Sequence, residues 1–343
     1  MKALLLTDYT KLDVTDLPCP EVGPDDLLVR VAACGICGSD VHGYDGSTGR
    51  RIPPIVMGHE ASGVVADAGA NVRRFRPSDR VTFDSTISCG TCYFCVGGHL
   101  NLCDRRRVLG VSCDEYRQHG AFAEYVAVPE RIAYRIPDSL SFDHAALVEP
   151  VSIAFHAVGL TRVGLGDSAL VVGAGMIGQL VVQTLRAAGC GRIIAVDLDE
   201  TRLEQALKHG ADHAVNAGSD DVPGQVFGLT GGRGVDLAFE AVGTAPAIQA
   251  AVASLRKGGV LGLIGNLTPR VEIPLQSIVT RELSLLGSCA SSGEYPACLE
   301  MMARGRIDVS PFVSAVAPLE EGPGWFERLH RREPGLIKVV LQP

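Results

Sequence analysis

Two patterns of apolar residues divide the chain. Up to residue 148, short apolar runs such as 27–31, 63–66, 81–83 and 122–128 alternate with turns rich in glycine and proline. Short strands separated by tight turns are typical of a β-rich domain. From residue 149 onward, apolar runs with strand character alternate with segments of helical period. The chain therefore predicts a β-rich domain followed by a domain of a different class.

The second half predicts a sheet covered by helices. We predict strands at residues 168–172, 192–197, 235–240, 260–265 and 283–288, with helices at 152–160, 176–188, 200–209 and 246–257. Strands that are apolar throughout and separated by helices indicate a parallel sheet buried on both faces. The fold class is thus α/β, with residues 1–150 as the β-rich domain and 151–287 as a doubly wound (Rossmann) domain. Residues 288–343, with a helix at 295–304 and a strand at 337–341, are expected to return to the first domain.

Length, charge and composition exclude several classes of function. The 343 residues exceed one ordinary core, and 46% hydrophobic with 20% charged residues indicates globular domains. A formal net charge of −8 without a long basic run argues against nucleic-acid binding. The first residues are too short an apolar run for a signal peptide, and no stretch approaches the roughly 20 apolar residues of a membrane span. We expect a cytoplasmic protein whose cysteines are thiols or metal ligands.

Four cysteines have the spacing of a closed metal site. They follow the pattern Cys-x2-Cys-x2-Cys-x7-Cys at Cys89, Cys92, Cys95 and Cys103. Four thiolates surround one zinc ion tetrahedrally and leave no position for a substrate, which predicts a structural Zn²⁺. Close cysteine spacings also hold iron–sulfur clusters, so that alternative stays open. Outside the metal sites, we interpret six cysteines as small buried side chains: Cys19, Cys34, Cys113, Cys190, Cys289 and Cys298.

A glycine-rich turn lies between a predicted strand and a predicted helix. Its sequence GAGMIG supplies the candidate cofactor-binding residues Gly173, Gly175, Met176, Ile177 and Gly178. Such a turn brings the backbone and a helix N-terminus to the pyrophosphate of a dinucleotide. Asp197 ends the next strand, where a carboxylate binds the ribose hydroxyls and repels a 2′-phosphate, so NAD is favoured over NADP. Arg202 is either a phosphate contact or a surface residue, and a glycine-rich turn without ligand is the simpler alternative.

A third group of residues in the first half has the chemistry of a catalytic metal site. It consists of Cys37, Ser39 and His42 in CGSDVH, His59 and Glu60 in GHE, and Glu149 before Pro150. Three protein ligands with one open position is the arrangement of a catalytic zinc. Alone, His59 would be interpreted as a core histidine and Glu149 as a carboxylate at a helix start. Their occurrence beside a cofactor turn favours an active site.

These segments together resemble the zinc-dependent medium-chain dehydrogenase/reductase superfamily over essentially the whole chain. The sorbitol (polyol) dehydrogenase branch, which includes enzymes acting on galactitol phosphate, is the most similar. The matching segments are CGSDVH, GHEASGVV, the cysteine cluster, residues 120–129, residues 146–158 and GAGMIG. The resemblance implies a GroES-like catalytic domain, a catalytic Zn²⁺ beside the structural one, and a homodimer or homotetramer.

The resemblance also implies roles for the individual residues. Cys37 and His59 are zinc ligands, and Glu60 is a ligand or lies close to the metal. Glu149 takes the place of a cysteine ligand of ordinary alcohol dehydrogenases, and whether Glu60 or Glu149 binds directly or through water stays open. Ser39 accepts the proton of the substrate, and His42 carries it toward solvent. A zinc-bound water held by Glu149 is the alternative base, which makes Glu149 a catalytic residue as well.

The implied activity is NAD-dependent oxidation of a secondary alcohol in a polyol to a ketone. The same chemistry on an amino alcohol, a cyclitol or a sugar-alcohol phosphate is the alternative, and a redox-sensing or structural protein without activity is a further one. Two features depart from sorbitol dehydrogenases. Gly43 stands where many carry an aromatic residue, and residues 288–291 lack an arginine. A phosphate substrate would need a cation, for which Arg50 and Arg51 are the nearest pair.

Overall fold

The computed structural model describes residues 1–113, 116–219 and 221–343, apart from the side chains of Cys113 and Tyr116. Contacts divide the chain into two compact units, one formed by Met1–Glu149 with Tyr295–Pro343 and the other by Pro150–Glu294. No helix in the described part of the chain has the length and apolar character needed to cross a membrane.

The first unit is built from mostly antiparallel strands around an apolar core, with β19 and β20 as a parallel pair. Its main sheet has the order β12-β6-β5-β3-β20-β19, with β11 also paired to β3, and a smaller sheet has the order β2-β1-β4. Buried Leu4, Phe83, Phe122 and Phe326 belong to the core between them. The elements are β1 (Lys2–Asp8), β2 (Lys11–Asp16), β3 (Asp26–Gly35), α1 (Gly38–Tyr44), β4 (Ile55–Val56), β5 (Glu60–Ala68), β6 (Arg80–Phe83), β7 (Thr86–Ile87), α2 (Tyr93–Val96), β8 (Arg107–Val108), β9 (Val111–Cys113), β10 (Tyr116–Gln118), β11 (Tyr125–Pro129), β12 (Ala133–Arg135), α3 (Phe142–Ala146) and the start of α4 (Val148–Thr161).

The second unit is a parallel sheet with helices between its strands. The strand order is β15-β14-β13-β16-β17-β18, and every pair in it is parallel. The predicted α/β fold class is therefore confirmed. Its elements after α4 are β13 (Ser168–Val172), α5 (Met176–Ala187), β14 (Arg192–Asp197), α6 (Glu200–Lys208), β15 (His213–Asn216), α7 (Val222–Leu229), β16 (Val235–Glu240), α8 (Ala245–Ser254), β17 (Leu255–Leu263), α9 (Leu275–Thr280) and β18 (Ser284–Gly287).

The tail of the chain completes the sheet of the first unit. It comprises α10 (Tyr295–Ala303), β19 (Val313–Pro318), α11 (Gly322–His330) and β20 (Lys338–Gln342). Strand β20 runs antiparallel to β3, with Val340 opposite Gly35, while β5 pairs with the other edge of β3. Because Gly35 also lies opposite Glu60, this register gathers the ends of three strands at one place.

The structure corrects several sequence-based boundaries. The helix predicted at 246–257 ends at Ser254, because Leu255 already pairs with Val235 in the sheet. Strand β15 and helix α7 were not predicted, since their apolar runs are short. The units change at Glu149/Pro150 and Glu294/Tyr295 instead of at 150/151 and 287/288.

The second change of unit is later than predicted because residues 288–294 stay attached to the parallel sheet. The N–H of Ser288 donates to the carbonyl of Leu263 at 2.9 Å. Glu294 lies 2.7 Å from the ring nitrogen Nδ1 of His156 on α4. Both contacts hold this segment within the second unit.

The prediction that the remaining cysteines are buried holds for only part of the set. Cys34, Cys190 and Cys298 are buried, whereas Cys19 and Cys289 are exposed. Both exposed residues lie in irregular segments between secondary-structure elements, where an isolated apolar side chain need not reach a core. The side chain of Cys113 lies outside the described residues.

The glycine turn between β13 and α5 requires its glycines for different reasons. Gly173 has φ of 95°, a backbone conformation that side chains disfavour. A Cβ on Gly178 would lie 1.7 Å from the carbonyl oxygen of Gly173, while a Cβ on Gly175 would meet no atom within 4 Å. Gly178 is thus needed by the fold, and Gly175 leaves open space in front of the turn.

We therefore expect Gly178→Ala and Gly175→Ala to separate folding from binding. The first should cost about 3 kcal/mol because helix and turn must move apart. The second should leave the thermal midpoint near the wild-type value but weaken the binding of the dinucleotide that the sequence predicts for this turn, since a methyl group would fill the space that its pyrophosphate needs. Thermal unfolding and NADH fluorescence titration measure the two effects. Equal stability of both variants would contradict this division.

Candidate active site

The four clustered cysteines converge in space. Their sulfur atoms all lie within 4.8 Å of one another, and the sulfurs of Cys89 and Cys95 are 3.9 Å apart. Zinc–thiolate bonds of about 2.3 Å in a tetrahedron place two sulfurs about 3.8 Å apart. Backbone N–H groups of Cys89 and Arg105 donate to the sulfur of Cys103 at 3.2 and 3.4 Å. The cluster thus has the size and the supporting donors of a closed zinc site.

The electrostatics of this cluster favour a bound cation. The backbone N–H of Thr91 lowers the pKa of the Cys89 thiol to about 5, with a smaller contribution from its hydroxyl. Burial, together with the neighbouring Cys92, raises the pKa of Cys95 to about 11. N–H donors alone therefore cannot make all four groups thiolates near neutral pH, whereas a divalent metal ion stabilises every one.

A second group forms where β3, α1 and β5 meet. One ligand atom each from Cys37, His59 and Glu60 lies within 4.8 Å of the others. Cys37 caps the N-terminus of α1: its sulfur accepts the N–H of Ser39 at 3.5 Å, and its own N–H donates to Asp40 at 3.2 Å. A thiolate, an imidazole and a carboxylate in this arrangement fit a zinc ion with one open position.

Asp40 is a buried carboxylate that the sequence-based reasoning did not single out. Its Oδ1 atom lies 3.2 Å from Nδ1 of His59 and accepts a hydrogen bond of 3.2 Å from Nη2 of Arg51. Burial alone would raise the pKa of Asp40, but the neighbouring His59 and Arg51 lower it to about 2. The ionised carboxylate therefore faces Nδ1 of His59 as a charge, without a hydrogen bond between them.

Lys338 in the last strand was also missed. Its ammonium donates to both carboxylate oxygens of Glu60, at 2.8 and 2.7 Å, and to the carbonyl of Ile36 at 3.0 Å. Burial opposes the charge on Lys338, but the negative charges of Glu60 and Cys37 raise its pKa. Glu60 is thus already held by a cation on both oxygens. The signal in the sequence was a single lysine inside the apolar run IKVVL.

Glu149 lies outside the compact group of Cys37, His59 and Glu60. It stands in the first turn of α4. Burial raises the pKa of its carboxyl to about 7, and the charges of Glu60 and Asp84 act in the same direction against that of His59. The residue therefore shares the electrostatic environment of the group without being packed into it.

The two predicted proton-transfer residues lie on α1. Ser39 and His42 are three positions apart, which places them on the same side of a helix. Nη2 of Arg51 donates to the hydroxyl oxygen of Ser39 at 3.1 Å. His42 stands in the last turn of α1 and is partly buried.

In the second unit, Asp197 is part of the glycine turn. One of its oxygens accepts the N–H of Ala174 at 2.7 Å, and the other accepts those of Leu198 and Asp199 at 2.8 and 3.1 Å. Arg202 on α6 lies 3.9 Å from the same carboxylate and is half exposed. Asp197 therefore holds the turn in shape in addition to its predicted role toward the ribose.

Comparison with known proteins gives a consistent result over the whole chain. Residues 23–138 match the alcohol dehydrogenase GroES-like domain, and residues 177–304 match the zinc-binding dehydrogenase domain. Sorbitol dehydrogenase of Bacillus subtilis is 35% identical, with 100% of this chain and 97% of that protein covered. D-arabitol-phosphate dehydrogenase of Enterococcus avium is 33% identical, with 97% and 94% covered.

A solved structure also superposes along the full chain. It is described as a zinc-binding dehydrogenase from Sinorhizobium meliloti 1021 bound to NADP, with a TM-score of 0.91 and 34% identity. The alignment covers 100% of this chain and 99% of that one. Both the fold and the order of the two matched domains are thus shared.

We expect Lys338→Met to destabilise the protein strongly. The change would leave the Glu60 carboxylate buried without its cation, a loss of about 3–5 kcal/mol. Adding Glu60→Gln removes the unpaired charge, so the double variant should recover much of this loss. Urea unfolding of the metal-loaded proteins measures both. A Lys338→Met variant as stable as the wild type would show that the pair contributes nothing.

Proposed function

Because the chain belongs to the zinc-dependent medium-chain dehydrogenase/reductase superfamily, in its sorbitol (polyol) dehydrogenase branch, we propose that it oxidises a secondary alcohol of a polyol to a ketone with NAD as hydride acceptor. The observation that carries the proposal is the convergence of Cys37, His59 and Glu60 within 4.8 Å. Ser39 and the cofactor turn at 173–178 supply the other two requirements, a proton acceptor and a dinucleotide site.

Two zinc ions with separate roles follow from the two groups of ligands. Cys37 and His59, with Glu60 or Glu149, would hold the catalytic ion, and Cys89, Cys92, Cys95 and Cys103 the structural one. When bound, the catalytic zinc supplies a Lewis acid that polarises the substrate alcohol. The hydrogen bonds from Lys338 to both oxygens of Glu60 favour Glu149 as the carboxylate that competes for the metal.

The residues on α1 remove the proton. Ser39 accepts the proton of the alcohol on its hydroxyl oxygen while its own proton leaves toward His42 and solvent. A bound nicotinamide would supply the hydride acceptor, and the protein would orient the reactants. Buried Asp40 places a negative charge 3.2 Å from Nδ1 of the His59 ring.

Asp197 supports a preference for NAD. Its carboxylate stands at the end of β14, where a 2′-phosphate would meet its negative charge. Arg202, whose guanidinium lies 3.9 Å from the Asp197 carboxylate, is the residue that would favour NADP instead. NADP is the cofactor bound in the structure of the Sinorhizobium relative. Asp197 also accepts hydrogen bonds from three N–H groups of its own unit. Its removal should therefore weaken the binding of both NAD and NADP, as well as change the ratio of the two affinities.

An uncharged polyol is favoured over a sugar-alcohol phosphate. Arg51 is buried and its guanidinium is already paired with Asp40 at 3.2 Å, so it cannot serve as a phosphate anchor without losing that partner. Its neighbour Arg50 is exposed.

We also propose that the protein is a homodimer or homotetramer, on the basis of its resemblance to the family.

Metal analysis tests the division of roles. Purified protein should contain two zinc ions per chain. Cys37→Ser should abolish turnover while leaving the fold and NAD binding largely intact, because only the open site is lost. Cys92→Ser should lower the thermal midpoint and solubility, because four ligands hold the lobe around it. Elemental analysis that finds one metal in a fully active protein would contradict two separate sites.

Substrate comparison tests the activity. Polyols should be oxidised about 100-fold faster than ethanol or 1-butanol, since a second hydroxyl is needed to place the reacting carbon.

Glu149→Ala should lower kcat on polyols severely if its carboxylate acts at the metal. If Glu149 only stabilises the start of α4, the variant should lose about 1 kcal/mol of stability and keep its kcat. NADH production and thermal unfolding of the same variant distinguish these outcomes, and NADP in place of NAD measures the cofactor preference.

A further inference from the structure

Arg51 is a buried cation beside the proton acceptor. Its side chain is 6% exposed, and the side chain of its partner Asp40 is fully buried. A single nitrogen, Nη2, donates to both Asp40 Oδ1 at 3.2 Å and Ser39 Oγ at 3.1 Å. The guanidinium therefore links the carboxylate that faces His59 to the hydroxyl that accepts the proton.

Gly43 makes room for this arginine. A Cβ on Gly43 would lie 2.5 Å from Cγ of Arg51 and 2.9 Å from its Cβ and Cδ. Real carbon atoms do not approach so closely, so a larger residue at position 43 would displace the stem of Arg51. The aromatic residue that many sorbitol dehydrogenases carry here is thus incompatible with Arg51 in its present place. The positions of Gly43 and Arg51 therefore depend on each other.

The chemistry of the guanidinium determines how Ser39 is oriented. Arginine only donates hydrogen bonds, so the hydroxyl oxygen of Ser39 must be the acceptor in their contact. One lone pair of Ser39 is then occupied. The other remains for the proton of the alcohol, and the O–H is left to donate onward. Without Arg51 the hydroxyl can rotate among several arrangements.

We propose that Arg51 is a positioning residue that holds Ser39 in the one orientation that accepts the substrate proton and passes its own proton onward. This inference rests on the proposed dehydrogenase function. The position is maintained although Nε of Arg51 is buried and has no hydrogen-bond partner among the residues that the structure describes. The contacts of Nη2 to Asp40 and Ser39 offset this cost.

Arg51→Met and Arg51→Lys test the role, with Arg50→Met at the exposed neighbouring position as the matched control. Arg51→Met keeps the apolar stem but removes the donor. Its kcat on the best polyol should fall about tenfold or more, with a larger solvent deuterium isotope effect, because proton transfer becomes slower. The urea midpoint should fall as well, because Asp40 loses its cation, while KM for NAD and the zinc content of the folded protein should stay near the wild-type values. Arg51→Lys should recover part of the loss, and Arg50→Met should behave as wild type.

An unchanged kcat and isotope effect in Arg51→Met would overturn the proposal. A loss of kcat without a larger isotope effect and without recovery in Arg51→Lys would also overturn the proposal, because that pattern indicates general distortion of the site. A wild-type protein that oxidises no polyol would instead contradict the proposed function itself.

Unfolding measurements test the placement of Arg51 without any need for activity. Gly43→Ala should lower the urea midpoint in the wild-type background, because the added methyl group collides with the Arg51 stem. In an Arg51→Ala background the same change should have little effect, since the space is empty. Additive effects in this double-mutant cycle would show that the two residues do not share the space and would overturn the structural basis of the proposal.

Discussion

The burial of two carboxylates is the constraint on which the first unit depends. Asp40 and Glu60 are both fully buried. An ionised carboxylate out of water is strongly unfavourable unless a cation and hydrogen-bond donors lie beside it. Arg51 meets this need for Asp40, and Lys338 meets it for Glu60. Because Lys338 belongs to the last strand, the chain must return to its first domain before the site is complete.

The two ion pairs also explain how the metal ligands are arranged. Asp40 accepts the N–H of Cys37, pairs with Arg51 and faces His59, so one carboxylate organises two of the proposed ligands. Lys338 holds Glu60 by both oxygens. The proposed ligands are therefore placed by charges on neighbouring elements, which gives the metal a prepared position and limits the movement of Glu60. Glu149 has a raised pKa and lies beyond the compact group.

The glycine turn of the second unit is organised on the same physical basis. Asp197 accepts hydrogen bonds from three backbone N–H groups, one of them from Ala174 within the turn. A carboxylate predicted to bind the ribose of the cofactor therefore also fixes the shape of the turn. Gly178 permits the helix to pack directly against the carbonyl of Gly173. The proposed recognition of the cofactor and the stability of the turn thus depend on the same few residues.

The sequence alone determined the α/β class, the cysteine cluster, the glycine turn and the family, because spacing and hydrophobic period are local properties that short segments carry. It could not identify Asp40, Arg51 or Lys338 as partners in the site, since each is a single charged residue whose meaning depends on what lies opposite. The register of β3 with β5 and β20 decided that Lys338 meets Glu60, across 278 positions of the chain. The absence of a side chain at Gly43 decided that Arg51 can reach Ser39. Tertiary structure made these choices because the cost of a buried charge depends on neighbours that only the folded chain brings together.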